Sequence, residues 1–323
     1  MKSLTLTVFV MVCCFATSAY AQIIFPIAKI TMRAVDSDGN PIDNAAVTAS
    51  YDFPKGMGMG WGTATKYVDG RTDKDGYFTI THKAAGICNF SVRKEGFYGS
   101  SDSYTFNNRI LFIWSPWNPT MEIKLKKEKN PTMMYAKSTT AIKIPALDTP
   151  IGYDLEIGDW VAPYGKGVIK DFIFVCTAVD RGWHDWDASY TLTFSNEQDG
   201  IQEYIEPKDD YGEYRWPYEA PLDGYKKEIK WSSYHHPGGW AGVHKSDYKE
   251  DRKYIFRVRT KTDEQGNIVE ARYGKIWGDI ELFSTGEITF TYYFNPTGSR
   301  SLEFGGNLFK FSRKERDCKV SGP

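Results

Sequence analysis

The sequence predicts an all-β protein of two sandwich-like domains, and three observations carry that prediction. Short runs alternate apolar and polar residues with the period of two expected of half-buried strands. Glycine and proline are frequent, 29 and 15 in 323 residues, and they stand at the ends of those runs. No long stretch places apolar residues at i, i+3, i+4 and i+7, so helices should be few.

The clearest part runs from Ile30 to Phe97. Ile30, Met32 and Ala34 alternate with Thr31, Arg33 and Val35, and Asp36–Pro41 (DSDGNP) follows with a glycine for positive φ and a proline that stops ladder pairing. Val47, Ala49, Tyr51 and Phe53 resume the alternation on a returning strand. Asp73-Lys74-Asp75-Gly76 is a hairpin-type turn before Tyr77, Phe78 and Ile80. Cys88, Phe90 and Val92 share one face of the next run, which ends at Lys94-Glu95-Gly96.

These residues form a pattern: Asp36, Gly39, Pro41, Ala45 and Val47, then Thr72, Asp73, Asp75, Gly76 and Phe78, then Lys94, Gly96 and Phe97. The pattern resembles the carboxypeptidase regulatory-like module, a transthyretin-type sandwich. The resemblance covers about a third of the chain and implies a transthyretin/Ig-like sandwich acting as a structural or adhesive attachment. Its motifs are turn and core motifs, so it implies no chemistry. The stretch Pro54–Gly70 departs from the pattern as an unplaced insertion.

Charge is nearly balanced, with 40 Lys and Arg against 41 Asp and Glu. That argues against a nucleic-acid partner, which needs a clustered basic face. The N-terminus reads as a signal peptide over residues 1–21: Lys2, an apolar run Leu4–Phe15, and the small-residue site Ala19-Tyr20-Ala21. The run is too short to span a bilayer, so no transmembrane segment is expected and the mature chain should be secreted, periplasmic or on the cell surface. A lipoprotein leader at Cys13 or Cys14 fits less well, since the preceding residues match such a site poorly. Cleavage leaves Cys88, Cys176 and Cys318, an odd number that defines no disulfide framework. Cys88 and Cys176 sit in apolar strand runs, where a thiol behaves as a small hydrophobe.

The first sandwich should span 22–127. Asn108–Trp114 reads as a strand, and Met121, Ile123 and Leu125 alternate with Glu122, Lys124 and Lys126. Residues 128–150, with three prolines and a charge cluster, read as an extended linker. A second β-rich domain is expected over 151–316, a β-sandwich or jelly roll. Its strands are Val168–Phe174, Tyr190–Phe194, Tyr254–Thr260 with its hairpin partner Ile268–Tyr273, and Glu287–Phe294. Residues 317–323 read as a disordered tail. The stretches Gly158–Pro163 and Tyr273–Ile276 resemble exported bacterial proteins of uncharacterised role, and by themselves suit turns packed on a sheet.

One region could carry a site. Trp183-His184-Asp185-Trp186-Asp187 and Glu203–Trp240 are dense in aromatic and acidic residues. Indole faces stack on sugar rings and carboxylates accept hydroxyl hydrogen bonds, so Trp183, Trp186, Asp185, Asp187, Trp216, Trp231 and Trp240 are candidate glycan-binding residues. The simpler reading is that these rings close the end of the sandwich. His184, His236 and His244 are weak candidate metal ligands. Adjacent His235 and His236 point to opposite faces of a strand, so no metal site is expected. Asp73, Asp75 and Gly76 start like a calcium loop but lack the later ligands.

No motif implies a cofactor. The chain lacks the H-x-x-E pair of zinc carboxypeptidases, and no G-x-S-x-G, P-loop or H-E-x-x-H motif appears. The reading therefore favours an exported, non-catalytic structural, surface or interaction protein with a glycan or cell-envelope component as partner. A carbohydrate-binding protein is the first alternative. A hydrolase of glycans or peptides with unassigned carboxylates is the second.

Overall fold

The computed structural model describes residues 26–55, 62–182, 184–207, 212–238, 242–320 and 322. The expected signal peptide lies outside them. The chain forms two compact units that meet between Lys126 and Lys127. The protein is all-β in both, with a single 3₁₀ turn, Arg313–Cys318, among the described residues. No helix of the described residues is long and apolar enough to cross a membrane.

Among the described residues the first unit has nine strands: β1 Ile27–Val35, β2 Ala46–Lys55, β3 Gly62–Arg71, β4 Tyr77–Lys83, β5 Ile87–Arg93, β6 Ser100–Thr105, β7 Asn108–Ile110, β8 Ile113–Ser115 and β9 Thr120–Lys124. One sheet runs β4-β1-β8-β7 with β9 also on β1, and the other runs β3-β2-β5-β6. The alternation read from the sequence faces the sheets together. Ile30, Met32 and Ala34 of β1 bury against Val47, Ala49 and Tyr51 of β2 and Cys88, Phe90 and Val92 of β5. The turns work as their residues require. The Asp73 carboxylate accepts the Asp75 and Tyr77 N–H groups at 3.0 and 2.8 Å, so it closes the turn itself. Gly76 has φ +82°, and a Cβ there would lie 2.5 Å from the Ala34 carbonyl oxygen.

Two expectations change. The unplaced stretch Pro54–Gly70 contains most of β3, which pairs along the whole of β2. Its polar, weakly alternating residues conceal a strand because β3 is a largely exposed edge strand. Asn108–Trp114 is a tight hairpin, β7 and β8 around Leu111-Phe112, and not one strand. An unbroken apolar run hides a turn.

The second unit has β10 Thr132–Ser138, β11 Ile142–Lys143, β12 Ile151–Asp154, β13 Asp159–Trp160, β14 Phe172–Asp180, β15 Trp186–Thr193, β16 Gly200–Tyr204, β17 Glu228–His236, β18 Val243–Ser246, β19 Lys253–Thr262, β20 Ile268–Leu282, β21 Glu287–Asn295 and β22 Phe304–Asn307. A six-stranded sheet, β13-β12-β14-β15-β17-β18, faces a seven-stranded one, β16-β19-β20-β21-β10-β22 with β11 on β21. Between them Phe172, Phe174, Tyr190 and Leu192 meet Phe256, Ile276, Phe290 and Tyr292 in one aromatic-rich core. Gly274 is needed there, since a Cβ would lie 2.2 Å from the Phe256 ring and 2.3 Å from the Tyr293 carbonyl.

Residues 128–150 are not an extended linker, because β10 and β11 are members of the seven-stranded sheet. The prolines that suggested a connector lie outside the paired residues. The tail is also held: Lys319 bridges to Lys137, and Val320 joins a small cluster with Met134, Ala136 and Tyr293 on that sheet. The strand expected from Val168 begins at Phe172. Residues before it belong to an excursion that Asp154 organises by accepting the N–H groups of Glu156, Ile157, Val168 and Ile169. Arg259 clamps the same excursion through a two-pronged pair with Asp171, at 2.8 and 2.9 Å, and a 2.6 Å bond to Glu156.

Candidate functional site

The site is built on the six-stranded sheet where β15, β17 and β18 run side by side. Trp186 pairs with His235, and His235 with His244, so these three side chains form one row. Two residues along comes a row of small side chains, Ala188, Ser233 and Ser246. Next comes Tyr190 stacked on Trp231, ring centroids 5.7 Å apart and planes 11° from parallel. A small row between two aromatic rows leaves space above it. The turn joining β20 to β21, with Phe283, Ser284 and Thr285, and the flanking strand residues Glu281 and Glu287 form the opposite wall, and Tyr248 also lines the groove. The open groove offers about 750 Å³, within the range of small-molecule sites.

The lining mixes flat rings with hydroxyls and carboxylates. Trp186 is half-buried and borders the groove. Trp231 is 3% exposed, and its indole N–H finds no acceptor among the described residues. Burial, with the neighbouring Asp279 carboxylate adding to it, pushes the Glu281 carboxyl above the usual glutamate range. Asp279 is pushed up mainly by its own burial, against the hydrogen bonds it accepts from Lys249 N–H and the Tyr254 hydroxyl. It also pairs with Arg252 at 3.3 Å. The Tyr248 phenol is raised by burial and by Glu281.

The structure divides the residues nominated from the sequence. Trp186 and Trp231 line the groove. Asp185 and Asp187 do not. Asp187 follows Trp186 on a strand and so points to the opposite face. There it binds Arg181 at 2.7 Å and His236 at 2.8 Å, while Asp185 binds Arg181 at 3.1 Å. Those contacts hold the Asp187 carboxyl below the usual range, the Arg181 hydrogen bond contributing most. Trp216 does not line the groove either. It is 1% exposed, stacked on Tyr204, and offers no ring face to a solute. Trp183 and Trp240 lie outside the described residues.

The weak metal candidates separate in the same way. His184 lies 3.1 Å from His235, nitrogen to nitrogen, and His244 pairs across from His235, whereas His236 is on the Asp187 face. Among the described residues, no three His, Cys, Asp or Glu side chains are grouped to hold a metal ion. Sequence reasoning missed Ser233, Ser246, Tyr248, Glu281 and the β20–β21 loop. No local signal marks them, because only sheet pairing and the facing of two sheets bring them together.

The second aromatic cluster is closed. Lys275 has no exposed surface, and its ammonium lies 5.1 Å from the Tyr214 and Trp216 rings and 4.8 Å from Tyr293. The amine has no hydrogen-bond partner among the described residues. Burial holds it well below the ordinary lysine value, with Lys253 adding to the shift and Glu303 opposing it.

No protein-family model and no curated protein matches the chain. Solved structures similar at low scores include the following two. One is the shaft pilin SpaA of Lactobacillus rhamnosus GG in a mutant form, with TM-score 0.24 and 14% identity over 55% of this chain and 90% of the pilin. The other is "a putative carbohydrate binding protein" from Bacteroides uniformis ATCC 8492, with TM-score 0.20 and 11% identity over 82% of this chain and 96% of that one. Scores this low carry no functional argument. Fold and site together define an all-β protein of two units with an aromatic, hydroxyl-lined groove in the second.

Proposed function

We propose that the chain is an exported, non-catalytic binding protein whose second unit takes a saccharide in the Trp186 groove. The observation that supports this reading is the juxtaposition of a half-buried indole with serine hydroxyls, His244 and two glutamates around about 750 Å³. An indole offers a sugar its apolar C–H face, while the hydroxyls and carboxylates pair with its equatorial groups. On this reading residues 1–21 are the removed leader, and the first unit is a carboxypeptidase regulatory-like attachment supporting the binding unit. The chain's partner is then a glycan or an envelope component carrying one, outside the cytoplasm.

A glycan array with the chain lacking residues 1–21, followed by calorimetry on the hits, tests the proposal. Saturable binding should fall about tenfold or more in Trp186→Ala, the equivalent of ~1.4 kcal/mol, with the melting temperature nearly unchanged. A blank array, or undiminished binding by that variant, overturns it. Turnover of a bound glycan that disappears in Glu281→Gln would replace the binding protein with a hydrolase.

A further inference from the structure

The β7–β8 hairpin exposes four consecutive apolar residues. Ile110, Leu111, Phe112 and Ile113 are 68%, 82%, 54% and 45% exposed, and nearby Trp117 is 51% exposed. Single exposed apolar residues are ordinary, but a contiguous group at a tip is not. Ile110 and Ile113 pair across the hairpin and so share one face, while Leu111 and Phe112 form the turn at its end. The tip is therefore apolar on that face and around its end, with none of the four buried. A flat protein partner would leave part of such a tip in water, whereas a lipid interface surrounds whatever enters it.

The charges agree with that medium. From Ser103 to Met121 the sequence has a single charged residue, Arg109, and no acid. Across the sheet, Ile113 neighbours Ile27, and Ile27 neighbours the exposed Lys83, which places a second cation at the same end of the sheet. Trp117 and Phe112 are the side-chain types that settle at the boundary between headgroups and acyl chains. The chain also enters the unit at this end, since the Ile27 N–H donates to the Phe112 carbonyl at 2.7 Å.

We propose that the β7–β8 tip inserts into the interface of a lipid bilayer, with Arg109 and Lys83 against anionic headgroups. The proposal is independent of the Trp186 groove. It attaches the first unit to a membrane surface without spanning it.

Co-sedimentation with vesicles tests it. The chain lacking residues 1–21 is used, so that the apolar leader cannot itself carry the protein to lipid and every described residue is kept. The protein should partition onto phosphatidylcholine vesicles, and more strongly when they contain phosphatidylglycerol. The double variant Leu111→Ser/Phe112→Ser should lose about tenfold or more of that partition, while melting as the parent does because both positions are exposed. Arg109→Glu/Lys83→Glu should remove the preference for phosphatidylglycerol. Absence of binding to either vesicle, or equal binding by the serine variant, overturns the proposal. A dimer in lipid-free solution that the serine variant dissociates overturns it too, since the tip would then have a second copy of the chain as its partner.

Discussion

Trp186 and Trp216 come from the same aromatic-rich part of the chain, yet they stand in opposite surroundings. Trp186 sits in a row beside small side chains, so one wall of the groove stays open. Trp216 is enclosed by Tyr204, Trp277 and the Lys275 amine. The open cluster mixes rings with hydroxyls and carboxylates. The closed one leaves an amine with no hydrogen-bond partner among the described residues. Aromatic density alone therefore does not mark a site. What distinguishes the two is the size of the neighbours across the sheet and whether another segment covers the rings.

The sharpest test is truncation of the closed cluster. Trp216→Ala should cost about 3–5 kcal/mol in urea unfolding, the usual penalty for emptying a buried aromatic position. A loss below ~1 kcal/mol would mean that the cluster is as open as the groove. Lys275→Met should act in the other direction, stabilising by roughly 1–3 kcal/mol, because it replaces an amine without a hydrogen-bond partner with an apolar chain of similar length.

The same variant has a pH signature. The Lys275 pKa is depressed in the folded state, so the unfolded chain binds more protons between the folded value and the ordinary lysine value. Stability should therefore rise with pH through that window and stay flat below it. The buried phenols of Tyr254 and Tyr293 are raised by burial, so their contribution is lost only as pH climbs above the ordinary tyrosine value. Between about pH 8 and 10 the parent should gain stability relative to Lys275→Met. Parallel curves would show that the amine is not buried.

In the open cluster, Trp186→Ala should change stability by no more than about 1–2 kcal/mol while removing ligand binding, so the two tryptophans should separate by assay as well as by place. The smallest effect concerns thiols. Burial pushes Cys88 up to about 11 and Cys176 to about 12. Native alkylation near neutral pH should spare both and label the half-buried Cys318 first, as read by mass spectrometry. Cys176 lies across from Tyr190, whose ring stacks on the groove residue Trp231. Its labelling would show that the aromatic floor opens.

Much of this was legible in the residues, and the failures have a common cause. Alternation at Ile30–Ala34, Val47–Tyr51 and Cys88–Val92 predicts the buried face of the first sandwich, and the structure has it there. Trp186 and Asp187, nominated together from the sequence, lie on opposite faces. Once β15 begins at Trp186, parity alone sends the carboxylate to the other face. Residues 128–150 fail similarly, since β10 is central in its sheet only through partners more than a hundred residues away.

The sequence by itself determined the all-β class, the turns that Asp, Asn and Gly close, and which runs have a buried side. Each depends on neighbours a few positions apart, and strand period and turn chemistry operate at that range. The tertiary structure alone decided that Trp186, Ser233, Ser246 and Glu281 share one groove, that Trp216 is sealed, and that the β7–β8 tip is left exposed. These depend on register, on which sheet faces which, and on what covers a surface, and no local pattern encodes such long-range pairings.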